Sequence, residues 1–249
     1  MTHIGPDFQL RQTAIQSLLP VLLVLMSTSG STLAVEPLLM RRDMQALLSP
    51  RVLMWAGAGV AAGVLVHPWD NEVRFGLQEQ PRLRDMLDVV DVYGSNRYAS
   101  SGLVVTWGAA RLIGHQPAAA LSSGLVRSVV LANVLVTPLK FTVGRERPDG
   151  SNNRSFPSGH SANAFALTTA LSRRLGPRLA LPLYVATVAV PVSRVHRRRH
   201  YLSDVLAGSL LGIVAGRAVT GFERDAVSMR VVVGSAGGRL LPVLYWVLP

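Results

Sequence analysis

The chain contains no cysteine. Disulfide staples, a thiolate nucleophile and zinc–thiolate sites are therefore excluded, while the redox compartment stays open. Lysine is almost as scarce: Lys140 is the only one, so nearly all the positive charge behind a formal net charge of +11 is arginine. Charged residues make up 16% of the 249 residues, well below the roughly 25% of an ordinary soluble domain. Hydrophobic residues reach 49% and the mean hydropathy is +0.33, so membrane association is expected. Aromatics are few, at 6%. The arginines are scattered rather than interleaved with aromatics, and no nucleic-acid-binding module is present, so nucleic acid is not expected as a partner. A basic balance of this kind suits anionic lipids or phosphorylated substrates.

The first residues read as an export signal. Arg11 precedes an apolar run from Ala14 to Met26, followed by small residues and a Thr32-Leu33-Ala34 cleavage-like site; the competing reading is an uncleaved anchor helix. Six apolar segments follow: Val52–Val66, Tyr98–Ala110, Gly124–Leu139, Ser161–Leu171, Leu179–Val192 and Val205–Gly216. None alternates as a half-buried strand would, and each is bounded by turn signals or charge, which predicts helices. Most of these runs fall short of the ~18–20 apolar residues of a spanning helix, and Arg111 and Arg127 interrupt the middle pair. The expectation is a compact helical bundle with a greasy exterior. Gly208, Gly212 and Gly216 recur on one helix face, a spacing that serves close helix packing in or out of a membrane. Asp70 to Asp91 reads as an exposed, polar connection with some helix. Val231–Val233 and Leu240–Val247, around a Gly-rich turn, predict a C-terminal β-hairpin. The expected organisation is residues 1–34 as signal peptide or anchor, 35–93 as an N-terminal helical segment and connection, 94–220 as a catalytic core, and 221–249 as an extension.

Three segments carry groups suited to an oxyanion. In the first, Lys140 and Arg147-Pro148 are seven positions apart. If the segment is helical, two turns bring both cations to one side, where a guanidinium fork and an ammonium point charge can hold phosphate oxygens. The second is Pro157-Ser158-Gly159-His160, opening the apolar helix from Ser161. Ser158 suits an N-cap, Gly159 allows close backbone approach, and the free amides of a helix start bind anions. His160 is placed to move a proton. In the third, Ser193-Arg194 leads to His200, with Asp204 four residues on. On a helical turn the carboxylate can orient the imidazole and leave its other nitrogen free to attack. Arg197, Arg198, Arg199 and His196 read as a solvated face and bystanders, and His3, His67 and His115 receive no role.

The ordered set Lys140-x6-Arg147-Pro148, Pro157-Ser158-Gly159-His160 and Ser193-Arg194-x5-His200-x3-Asp204 resembles the type 2 phosphatidic acid phosphatase (PAP2) family. Its superfamily also takes in bacterial non-specific acid phosphatases and vanadium haloperoxidases. The resemblance covers roughly Gly94 to Thr220 and implies an all-α, compact PAP2-like bundle. It also implies that His200 is the nucleophile, Asp204 its orienting group and His160 the proton donor. Lys140, Arg147, Ser158, Gly159 and Arg194 would hold the phosphoryl oxygens, with no metal or other cofactor. The expected substrate is a lipid phosphate or a small phosphate ester, worked on at an extracytoplasmic membrane face or in the periplasm. The competing readings are a vanadate-dependent haloperoxidase and a non-catalytic anion- or membrane-binding protein. Haloperoxidases are usually much longer than this chain, and the complete set of reactive residues argues against mere binding.

Overall fold

The computed structural model describes residues 37–78, 87, 96–221, 228–236 and 239–247. The segment expected to be a signal or anchor, and most of the stretch from residue 79 to residue 95, lie outside these residues. Eight helices are present among the described residues: α1 (Pro37–Leu47), α2 (Pro50–Val66), α3 (Asp70–Gln78), α4 (Asn96–Leu112), α5 (Gln116–Val143), α6 (Gly159–Leu175), α7 (Pro177–His196) and α8 (Leu202–Thr220). A single 3-10 turn, His67–Trp69, joins α2 to α3. At the C-terminus β1 (Ser228–Ala236) pairs antiparallel with β2 (Arg239–Val247), with Val232 opposite Val243.

The helix starts follow from local chemistry. Ser49 caps α2 by accepting the Val52 amide at 3.4 Å, and Pro50 occupies the first turn, where its missing N–H costs nothing. His115, which had no role in the sequence, caps α5: its Nδ1 accepts the Ala118 amide at 3.2 Å. All six apolar segments are helical, but the helices overrun them. Polar and proline residues at the ends of the runs extend α5 and α7 past the uninterrupted apolar stretches, with Pro138 inside α5 and Pro182 and Pro191 inside α7. As a result four stretches, Pro50–Leu77, Gln116–Val143, Pro177–His196 and Leu202–Thr220, are long and apolar enough to cross a membrane. Leu181, Val185 and Val188, one face of α7, are exposed, as are Leu53, Trp55, Val64 and Leu65 on α2. A greasy exterior of this kind belongs in lipid, which supports membrane localisation.

Arg127 interrupts the apolar pattern of α5 without facing solvent. It is buried and donates from Nη1 to Asp43 of α1, both side chains 1% exposed. A paired buried charge is tolerable, whereas leaving either member alone typically costs about 3–5 kcal/mol.

At the centre, α8 packs against α2, α5 and α6. The interior is made of small and medium residues, among them Leu131, Ala132, Val136, Ala162, Ala166, Leu211, Ala215 and Val219. The glycine seam of α8 lies on α6. A Cβ at Gly208 would meet the Ser158 carbonyl, and one at Gly212 the Ala162 carbonyl, each closer than 3.0 Å. The seam therefore brings two helix backbones into direct contact. It also ties the first residues of α6 to the start of α8, where Ser158 N donates to Asp204 O at 2.9 Å.

Candidate active site

Loops 144–158 and 197–201 meet at the end of the bundle where α8 begins. Helix α5 does not continue to Arg147, as the near-helical expectation for Lys140 to Arg147 supposed. Gly144 adopts a left-handed conformation (φ 59°) and ends the helix after Val143, so Pro148 is not its terminator. Lys140 projects from the last turn of α5, and its Nζ donates to the carbonyls of Arg154 (3.0 Å) and Pro157 (2.6 Å). The ammonium is thereby held beside the Pro157-Ser158-Gly159 turn, with its Cε 3.7 Å from where a Cβ on Gly159 would lie. Arg147 sits in the loop, whose backbone is pinned by Arg147 N to Asn152 O (3.0 Å) and Gly150 N to Arg147 O (2.9 Å).

Ser158 is the N-cap of α6, as expected, accepting the Ser161 amide at 3.4 Å and the Ser161 hydroxyl at 3.0 Å. His160 follows in the first turn. Burial, with Arg147 and then Lys140 nearby, pushes its pKa down to about 4, so the imidazole is neutral at pH 7 while the site holds no anion. A tetrahedral dianion among these cations would reverse their repulsion and let His160 take up a proton. Sulfate carries no titratable proton between pH 4 and 6, so its affinity is expected to fall as pH rises across that window. Replacing His160 by asparagine should flatten the dependence. Calorimetric titration at several pH values checks this, and a pH-independent affinity for the unsubstituted protein would refute it.

Arg194 closes α7, and its carbonyl accepts the amides of both Arg199 (3.0 Å) and His200 (3.2 Å). This tight turn, with Arg198 in the left-handed region at φ 57°, delivers His200 into the interior at 1% exposure. Its Nδ1 lies 3.7 Å from Asp204 Oδ2, beyond hydrogen-bond range, and has no other partner among the described residues. Burial is the main cause holding the His200 pKa down to about 3; Asp204 opposes it, and Lys140 and Arg147 reinforce it. The imidazole is thus a neutral base with Nε2 free of Asp204. Asp204 also caps α8, accepting the Tyr201 amide on Oδ2 at 2.9 Å. Arg199 is more than part of a solvated face: it pairs with Asp149 at 2.8 Å and links the two site loops.

Four residues of this end of the molecule carried no signal in the sequence. Ser155 donates to Asp204 Oδ2 at 2.5 Å, and Arg145 Nη1 donates to Asp204 Oδ1 at 2.9 Å. Asp70 and Ser203 join Arg145 in one cluster. Asp70 is 3% exposed, which corrects the expectation of an exposed connection at that point: its carboxylate is drawn in by a guanidinium and a helix start. Arg145 stands only two residues before Arg147 and could have been flagged on that ground; Asp70 lies too far along the chain for any local spacing to find it. A groove lined by Arg42, Trp55, Ile213 and Arg217 among others opens at the far ends of α2 and α8 and contains none of the candidate site residues.

The bundle thus brings Lys140, Arg147, His160, His200 and Asp204 together at the end where α6 and α8 begin. Residues 122–227, less than half of the chain, match the PAP2 superfamily. The chain is 37% identical over 91 residues to a lipid A 1-phosphatase of Porphyromonas gingivalis; the match covers 35% of this chain and 20% of the relative, a fifth of that protein's length. It is 28% identical over 187 residues to phosphatidylglycerophosphatase B of Bacillus subtilis, covering 68% of this chain and 83% of the relative. The fold resembles the crystal structure of a transmembrane PAP2 type phosphatidylglycerolphosphate phosphatase from Bacillus subtilis, with a TM-score of 0.52 at 22% identity, over 74% of this chain and 97% of that one.

Proposed function

We propose that this protein is a metal-independent phosphatase that removes phosphate from lipid phosphates through a phosphohistidine intermediate. The observation that carries the reading is His200, a buried neutral imidazole whose Nδ1 faces the Asp204 carboxylate. Nε2 of His200 attacks phosphorus and the bond to the ester oxygen breaks. His160 gives that oxygen a proton, then takes one from the water that cleaves the phosphorus–nitrogen bond, returning free His200 and inorganic phosphate. Lys140, Arg147 and Arg194, with Ser158 and the Gly159 amide, hold the phosphoryl oxygens. Phosphoryl transfer needs mainly positioning and charge neutralisation, which three cations can supply.

Lipid substrates are favoured over soluble esters by the four apolar helices with their exposed apolar faces and by relatives named for lipid phosphates. The working face is taken to be extracytoplasmic. Purified protein in excess EDTA is expected to release phosphate from a panel of phosphatidate, phosphatidylglycerophosphate, isoprenyl pyrophosphate and lipid A faster than from a soluble aryl phosphate. Intact cells should hydrolyse an impermeant substrate as fast as opened ones. A requirement for added metal, or a preference for the soluble ester, would sink the corresponding part of the proposal.

A further inference from the structure

The cluster around Arg145 reaches from the candidate site into a part of the chain that precedes residues 122–227. Arg145 uses both ends of its guanidinium. Nη1 donates to Asp204 Oδ1 at 2.9 Å and to Ser203 Oγ at 2.6 Å, while Nη2 donates to Asp70 Oδ2 at 2.8 Å. The Tyr201 ring covers the guanidinium, with its centroid 3.9 Å from the central carbon. Asp70, at the first turn of α3, is itself held on several sides. Its Oδ1 accepts the Ser203 amide at 2.8 Å, and its Oδ2 accepts the Ser203 hydroxyl at 2.7 Å and lies 2.8 Å from His67 Nδ1. One arginine is therefore shared between two buried carboxylates, Asp70 at 3% and Asp204 at 0% exposure.

We propose that Asp70 is a positioning residue: it anchors Arg145 so that the guanidinium holds Asp204 by one oxygen and leaves Asp204 Oδ2 turned toward His200. An arginine prefers to grip a carboxylate with two parallel hydrogen bonds. Here Nη2 is instead held by Asp70 and lies 3.2 Å from His67 Nδ1. Deprived of Asp70, the freed Nη2 can compete with Ser155 and the Tyr201 amide for Asp204 Oδ2 and draw away the oxygen that faces the imidazole. The charge balance acts in the same direction. With Asp70 present, Arg145 is neutralised from its far side and Asp204 keeps its full negative charge for the imidazolium character that develops as His200 attacks; without Asp70 that charge is spent on Arg145. The start of α3 is thus part of the working site through Asp70.

The inference rests on the phosphatase reading, so its test runs beside a control for that reading. Asp70→Asn is the informative variant, because asparagine can still accept the Ser203 amide and keep α8 capped, while its amide nitrogen cannot accept from Arg145. Its kcat is expected to fall about 10–100-fold, the usual effect of removing the outer partner of a site group, with the affinity for sulfate, a tetrahedral anion that forms no bond to the nucleophile, unchanged by calorimetric titration. In an Asp204→Asn background the same substitution should have no further effect on kcat, since its action runs through the Asp204 carboxylate. Unchanged kcat in Asp70→Asn would overturn the proposal. So would equal losses of kcat and sulfate affinity, or a further loss in the Asp204→Asn background, each of which assigns Asp70 to folding alone. His200→Ala, tested in parallel, separates the two levels: if it retains turnover, the phosphatase mechanism fails first.

Discussion

His200→Ala is expected to lower phosphate release by about 10⁴-fold or more, the scale seen when a covalent nucleophile is removed from a site that otherwise stays intact. The other hydroxyls described near the start of α8 are engaged, Ser155 donating to Asp204 and Ser203 to Asp70. The chain has no cysteine, and the Ser158 hydroxyl is committed to the cap of α6, accepting from the amide and the hydroxyl of Ser161. His160 is a proton carrier in this reading and sits on a different helix. His200 is 1% exposed, so alanine leaves a small cavity and lowers Tm modestly. A folded variant, with a cooperative unfolding transition in detergent beside the lost turnover, is therefore part of the expected result. Wild-type protein quenched during turnover should carry acid-labile, base-stable phosphate, and His200→Ala none. Substantial activity in the variant would mean that water attacks phosphorus directly and that the cations, not the histidine, carry the catalysis.

Much of this site was legible because its chemistry is local in sequence. Ser158 and His160 belong to one helix start, and His200 lies in the turn just before α8 with Asp204 in its first turn, so spacing alone put each pair close together. The relation of Lys140 to Arg147 was misread as helical, since a left-handed Gly144 is invisible in a pattern of apolar residues and charges. The cluster of Asp70, Arg145, Ser155 and Ser203 depends on tertiary contacts, and the Asp70–Arg145 pair is separated by 75 residues. No periodicity reports such a pair. Helix lengths were underestimated for a related reason: an apolar run measures a buried or lipid-facing stretch, whereas the helix continues until a cap stops it. Arg127 looked like an interruption only because Asp43, which neutralises it, comes from a different helix.

The glycine repeat on α8 was seen in the sequence without a consequence, and the packing now supplies one. Gly212 lies against the backbone of Ala162, and a Cβ there would overlap a carbonyl oxygen, an atom that cannot rotate away as a side chain can. Gly212→Ala must therefore separate α6 from α8, and a forced overpacking of this sort costs about 1–3 kcal/mol. That corresponds to a fall in Tm of roughly 2–12 °C for a chain of this size. Gly212→Leu is expected to yield no folded protein. The separation also acts on the chemistry, because Ser158 N donates to Asp204 O across the same contact, one turn nearer the site. Activity in Gly212→Ala should thus fall at temperatures where the protein is still fully folded. Gly57 on α2 provides the comparison, since a Cβ there meets nothing within 4 Å. Gly57→Ala should gain about 0.5–1 kcal/mol from helix propensity alone. Equal behaviour of the two alanine variants would show that α6 and α8 are free to move apart and that the close backbone contact does not hold the site together.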